Sequence, residues 1–180
     1  MKKVYLIHGW GGDSKTLFFR WLIKNLEGKA EVIAFDMPET DNPLIEKWVP
    51  YLQENIVLND ETYLVGHSVG CQAIMRYLEK LPGDKKVKCC IFVGGWLKLT
   101  LNSKEEERIS KPWLETPINF NKVKQHCDNF IAIFSDNDEF APLENIELFK
   151  KNLNAKTILK KAQEHFIYVK EIPEILEFMK

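Results

Sequence analysis

The chain has 180 residues, 45% of them apolar, which suits one globular domain spanning 1–180 and leaves too little for a second core. Its 25 basic residues nearly cancel 26 acidic ones, and no Lys/Arg cluster is interleaved with aromatics, which argues against a nucleic-acid partner. No stretch is long and uncharged enough to span a bilayer, and Cys71, Cys89, Cys90 and Cys127 have neither disulfide-framework nor zinc-site spacing, so free thiols in a reducing cytoplasm and no metal are expected.

The first apolar run, "KVYLIHG", reads as a buried strand, because glycines follow where a signal peptide would extend the run to a cleavage site. A helical pattern comes next, with Leu17, Phe18, Trp21, Leu22 and Leu26 on one face. "AEVIAFD" and "TYLVGHS" are the second and third strands. The latter passes at once into a helix marked by Ala73, Ile74, Tyr77, Leu78 and Leu81 and ended by Pro82-Gly83. "VKCCIFVGG" is a fourth strand. Residues 96–128 then break the rhythm with a charge run and prolines, and read as a long excursion holding a short helix or two. "NFIAIFSD" and "AKTILKK" complete the strands, and Pro142 and Pro173 stand where two last helices begin. This alternation predicts a three-layer α/β/α sandwich with a mostly parallel sheet of five to six strands.

In such a sheet ligands bind at the carboxyl ends of the strands. Gly66-His67-Ser68-Val69-Gly70 lies there and fits the G-x-S-x-G elbow, a strained strand-to-helix turn that lifts the serine Oγ clear of the sheet. The bland reading is an ordinary glycine-bounded turn, but strand and helix stand where the motif needs them. A serine hydroxyl is a weak nucleophile and requires a histidine base and an orienting acid, in the chain order Ser, Asp/Glu, His. His8 and His67 precede Ser68 and His126 lies in the excursion, which leaves His165. Past the fifth strand, "FSDNDEFAP" offers Asp136, Asp138 and Glu139, of which Asp138, at the crest of the turn, is favoured. A calcium loop would need a glycine and a distal glutamate that are missing.

The glycine-rich "HGWGGDS" fits two accounts. In a serine hydrolase it supplies an oxyanion N–H, from Trp10, beside that of Val69. In a dinucleotide-binding protein Gly9-x-Gly11 would open a fingerprint with Asp36 on the ribose, but Ser14 replaces the third glycine and the Ser68 elbow is left unexplained.

"HGWGG", "DMPETDNPLIEKW", "GHSVG", "WLETPINFNKVKQHC", "SDNDEFAP" and "EHF" together resemble the small serine hydrolases of the retinoblastoma-binding protein 9 and YdeN type, over nearly the whole chain. The resemblance implies a minimal α/β-hydrolase fold without a cap domain and puts the family's triad on Ser68, Asp138 and His165. Glu164 departs from the pattern, standing where a glycine usually precedes the histidine. None of the four cysteines has Leu two before and Glu two after, so the pocket-binding motif behind the family's name is not carried over. The expected activity is hydrolysis of small carboxylic esters through an acyl-enzyme, without a cofactor. An amidase or peptidase is the nearest alternative, and an interaction module on the same fold is the rival from another class. The expected substrate pocket gathers His8, Gly9, Trp96, Phe140 and Phe166, with Trp10 beside them, around an open, shallow site.

Overall fold

The computed structural model describes residues 1–180. Six strands, β1 (Lys2–Ile7), β2 (Ala30–Ala34), β3 (Thr62–His67), β4 (Cys89–Val93), β5 (Phe130–Ser135) and β6 (Lys156–Lys160), form one sheet in the order β2-β1-β3-β4-β5-β6. Every pairing is parallel, so the expected mostly parallel sheet is parallel throughout. The helices are α1 (Leu17–Leu26), α2 (Ile45–Asn55), α3 (Val69–Lys80), α4 (Lys104–Glu115), α5 (Phe120–Gln125), α6 (Glu144–Leu153) and α7 (Glu174–Glu177).

Successive side chains of a strand point to opposite faces, and here both faces are buried. Val4 and Leu6 of β1, Tyr63 and Val65 of β3 and Ile131 and Ile133 of β5 pack with Phe18, Phe19, Leu22 and Leu26 of α1 and Ile175 of α7. Tyr5 and Ile7, Leu64, and Ala132 and Phe134 pack the other way, against Trp48 and Leu52 of α2, Ile74 and Leu78 of α3, and Phe149 of α6. The edge strands β2 and β6 are less buried and carry Glu31, Lys156 and Lys160, which discourage pairing with another sheet.

Two helices differ from the sequence reading. The sequence reading does not name α2, although Ile45, Trp48, Val49 and Leu52 follow the i, i+3, i+4, i+7 rule; Pro50, which lacks a backbone donor, lies inside it. The excursion holds a full helix, α4, despite Pro112. Its start is capped by side chains: Ser103 Oγ accepts from Glu106 N at 3.1 Å, and Glu106 Oε2 reaches back one residue beyond the cap to accept from Asn102 N at 2.6 Å. Its end is held by the buried Arg76 of α3, which donates through Nη2 to the carbonyls of Trp113 and Thr116, both at 2.8 Å.

The chain runs from β1 outward to β2 and then returns to the far side of β1 to lay down β3. The loops after β1 and β3 therefore part in opposite directions, and the crevice between them is where an open α/β sheet binds ligands.

Candidate active site

Ser68 joins β3 to α3 with φ 53° and ψ −123°, a conformation most residues avoid. The turn survives because its neighbours fix it: Ser68 N donates to Val93 O at 3.0 Å and Ser68 O accepts from Cys71 N at 3.0 Å. The flanking glycines allow close packing. A Cβ on Gly70 would lie 2.4 Å from Ile7 O and 2.6 Å from His8 O, and one on Gly66 would lie 2.8 Å from Cys71 N.

Ser68 Oγ lies 2.8 Å from His165 Nε2, and His165 Nδ1 lies 2.7 Å from Asp138 Oδ2. A carboxylate only accepts, so Nδ1 carries the proton, Nε2 is bare and the serine hydroxyl donates to it. Asp138 and His165 are nearly sealed from solvent, with side chains 2% and 8% exposed. The other oxygen of Asp138 accepts from Phe140 N and Ala141 N, both at 2.9 Å, which aims the carboxylate. Asp136 turns elsewhere and takes Ala162 N at 2.8 Å, tying the loop after β5 to the loop that carries His165. Ser135 and Asn137 extend that tie to Gln163 N and Glu164 N, each at 2.9 Å. Ala162, Glu164 and Phe166 all have positive φ, between 50° and 60°, so position 164 adopts the backbone a glycine would take most easily.

The remaining histidines are turned to other uses. His126 Nδ1 bonds Lys85 O at 2.7 Å, at the end of α5. His8 donates through Nδ1 to Gly9 O at 2.7 Å and accepts Met37 N on Nε2 at 2.9 Å, so both ring nitrogens are used. His67 Nε2 donates to His165 O at 2.8 Å. Burial, and next the neighbouring His165, push His67 down to about 3; burial also lowers His8. His67 stays neutral in the folded chain, whereas the unfolded chain takes up a proton on it below about pH 6.5. The unfolded state then binds more protons, so stability falls with falling pH, by about 2 kcal/mol between pH 7 and pH 5 from His67 alone. Urea unfolding at pH 7, 6 and 5 reads this directly, and a flat profile would contradict it.

A cavity of about 200 Å³ opens beside Ser68. It is lined by Trp10 and Pro43, by Trp96 and Leu99 to Leu101, by Phe140 and Ile167, and by Glu106, Ile109, Ser110 and Trp113 of α4, together with Ser68, Val69 and His165. Three expected pocket residues are corrected. His8 is fully buried with its ring edge-on to Trp48, and Phe166 is fully buried in the core on the α1 side, turned there by its positive φ. Gly9 is not in the lining either; it lies under the nucleophile, where a Cβ would be 3.0 Å from Ser68 Cβ. Trp96 and Phe140 do line the cavity, and the Trp96 indole N–H points at Ser68 Oγ at 3.4 Å. The α4 wall was missed in sequence, although Glu106, Ile109, Ser110 and Trp113 follow the i, i+3, i+4, i+7 rule behind a visible S-x-x-E box. It adds a helical wall to a small cavity that stays partly open to solvent.

Trp10 and Val69 flank the serine. The Trp10 N–H donates to no group of the protein, and Val69 is the first residue of α3, ahead of the helical ladder. The Trp10 side chain fixes its loop by donating through Nε1 to Asp41 O at 2.9 Å. Asp36 accepts Ser14 N at 2.7 Å and so serves the same loop, not a ribose. No group of three or more His, Cys, Asp or Glu is arranged to hold a metal ion.

A family model described as serine hydrolase matches residues 4–171. The chain belongs to the serine hydrolase family. YdeN of Bacillus subtilis (strain 168) is 32% identical over 158 residues, 84% of this chain and 77% of that protein. Serine hydrolase RBBP9 of Rattus norvegicus is 26% identical over 159 residues, 87% of this chain and 82% of that one. The crystal structure of the B. subtilis ydeN gene product superposes with a TM-score of 0.86 at 26% identity, covering 98% of this chain and 96% of the other. Est1E of Butyrivibrio proteoclasticus, solved with ferulic acid bound, shares the α/β-hydrolase fold alone, with a TM-score of 0.72 at 17% identity over 100% of this chain and 87% of that one. As a serine hydrolase the protein is an enzyme, which sets aside the interaction-module reading. It carries no cap domain, and no helix is long and apolar enough to cross a membrane.

Proposed function

We propose that this serine hydrolase is a carboxylesterase for small esters, working as a single domain in a reducing cytoplasm, with Ser68 as nucleophile, His165 as base and Asp138 as the orienting acid. The observation that carries this reading is the continuous line of hydrogen bonds, 2.8 Å from Ser68 Oγ to His165 Nε2 and 2.7 Å from His165 Nδ1 to Asp138, at the edge of the cavity. The four unpaired, buried cysteines support the compartment.

In the first half-reaction His165 Nε2 takes the Ser68 proton as Oγ attacks the ester carbonyl. The N–H groups of Trp10 and Val69 receive the oxyanion, helped by the positive end of α3. Collapse breaks the C–O bond, and His165 returns its proton to the leaving alkoxide. Water then attacks the acyl-enzyme with His165 as base, and the acid departs. Asp138 stabilises the imidazolium in both halves. Because only neutral imidazole accepts the serine proton, kcat/KM falls on acidification.

A fluorophosphonate probe tests the assignment: the native protein is labelled and Ser68→Ala is not, whereas equal labelling of both removes Ser68 from the mechanism. The cavity, about 200 Å³, is at the small end for ligand sites. p-Nitrophenyl acetate and butyrate are therefore expected to turn over faster than esters with chains of about twelve carbons, and a clear preference for the long chains overturns the small-ester assignment.

A further inference from the structure

We propose that His67 is a positioning residue for the base: its Nε2–H holds the main-chain carbonyl of His165 and thereby keeps the imidazole in line with Ser68. The inference rests on the triad reading above. His67 is the last residue of β3 and the one before the nucleophile, so a single side chain links the elbow to the base loop, with no element between them.

The loop needs such a link. Asp136, Ser135 and Asn137 take the N–H groups of Ala162, Gln163 and Glu164, all on the approach to the histidine. Beyond it, Phe166 N donates to Gln163 O at 2.9 Å, and the His165 carbonyl is held by His67. Phe166 has φ 60°. A flip of the peptide between 165 and 166 would return it to negative φ, relieving the strain of a left-handed non-glycine residue, and would swing the carbonyl away. The hydrogen bond from His67 opposes that flip.

The surroundings of His67 fit a fixed strut. Its ring is 94% buried, meets Phe18 edge-on at 5.8 Å between centroids and lies 5.3 Å from the His165 ring. The titratable groups that bear on it are His165, Asp138 and His8. A cation at 67 would repel the imidazolium that forms on His165 in the transition state. Burial prevents this by holding His67 neutral, so it donates its hydrogen bond without adding charge.

The test compares His67→Gln, whose amide nitrogen falls where Nε2 was, with His67→Asn and His67→Phe, which place no donor there. Asn and Phe variants are expected to lose roughly ten- to hundredfold in kcat with KM little changed, because the cost of a misaligned base falls on the chemical step. Gln is expected to recover most of it. The downfield proton resonance of His165 Nδ1, which reports the bond to Asp138, weakens in Asn and Phe and persists in Gln. Native-like kcat in Asn and Phe, or an equal loss in all three at matched thermal stability, overturns the inference. If the native protein neither reacts with the fluorophosphonate nor hydrolyses esters, the triad reading fails instead. The Nδ1 resonance then still decides the positioning role, because its retention in His67→Phe contradicts it.

Discussion

Asp138→Asn is expected to lower kcat on the order of a thousandfold or more while leaving the fold intact. The reason lies in the hydrogen-bond directions. Asp138 accepts three N–H groups, from His165 Nδ1, Phe140 and Ala141. An asparagine can serve the two backbone amides with its oxygen, but its NH₂ then faces Nδ1, forces the proton onto Nε2 and leaves no acceptor for the Ser68 hydroxyl. Asp136→Asn keeps the oxygen that Ala162 N needs, so its effect is confined to loop stability. That effect is within about 1 kcal/mol, or roughly 2–4 °C in Tm for a chain of this size. Measuring kcat and thermal unfolding for both variants side by side separates the roles. A folded, inactive Asp136→Asn beside an active Asp138→Asn would require the acid to be reassigned.

Gly70→Ala is expected to have the largest effect on stability of any single methyl addition at the site. Its Cβ would enter within 2.6 Å of two backbone oxygens, Ile7 O and His8 O, and neither can rotate away. Relief requires α3 to lift from the end of β1, at a cost of about 3 kcal/mol or more, which lowers Tm by roughly 6–12 °C. The same movement displaces Ser68 from His165. Gly11→Ala is the control: nothing lies within 4 Å of its Cβ, and only its φ of 64° opposes the change, at about 1 kcal/mol. Equal Tm shifts for the two variants would contradict the clash at Gly70.

The elbow was legible because every part of it is local: a β-branched strand, two glycines and a helix start within a few residues. His165 and Asp138 were reached by chain order and elimination, and the structure brings both to Ser68. Other features depend on which way a side chain leaves the backbone. His8 and Phe166 sit beside pocket residues in sequence, yet one turns toward Met37 and the other into the core under α1. The 106/109/110/113 face of α4 could be found as a helix face, but its opposite walls come from Trp10, Pro43, Phe140 and Ile167, far away along the chain. Only folding reveals that these stretches enclose one space.

The wall built by α4 has a consequence for how such an enzyme can change. The groups assigned to bond-breaking stand on the loops after β3, β5 and β6, while four of the residues that would meet the rest of a substrate stand on one helix inserted between β4 and β5. That helix is anchored by Arg76 on its last carbonyls, by the cap at its start, and by Trp113, whose Nε1 donates to Pro43 O at 2.8 Å and whose ring meets Trp48 edge-on. Glu106 and Trp113 therefore both face the cavity and hold the helix, whereas Ile109 and Ser110 make none of these anchoring contacts. Substitutions at Ile109 and Ser110 can therefore alter which acyl groups are accepted without disturbing the elbow, and a lineage or a library can explore new substrates through two adjacent positions.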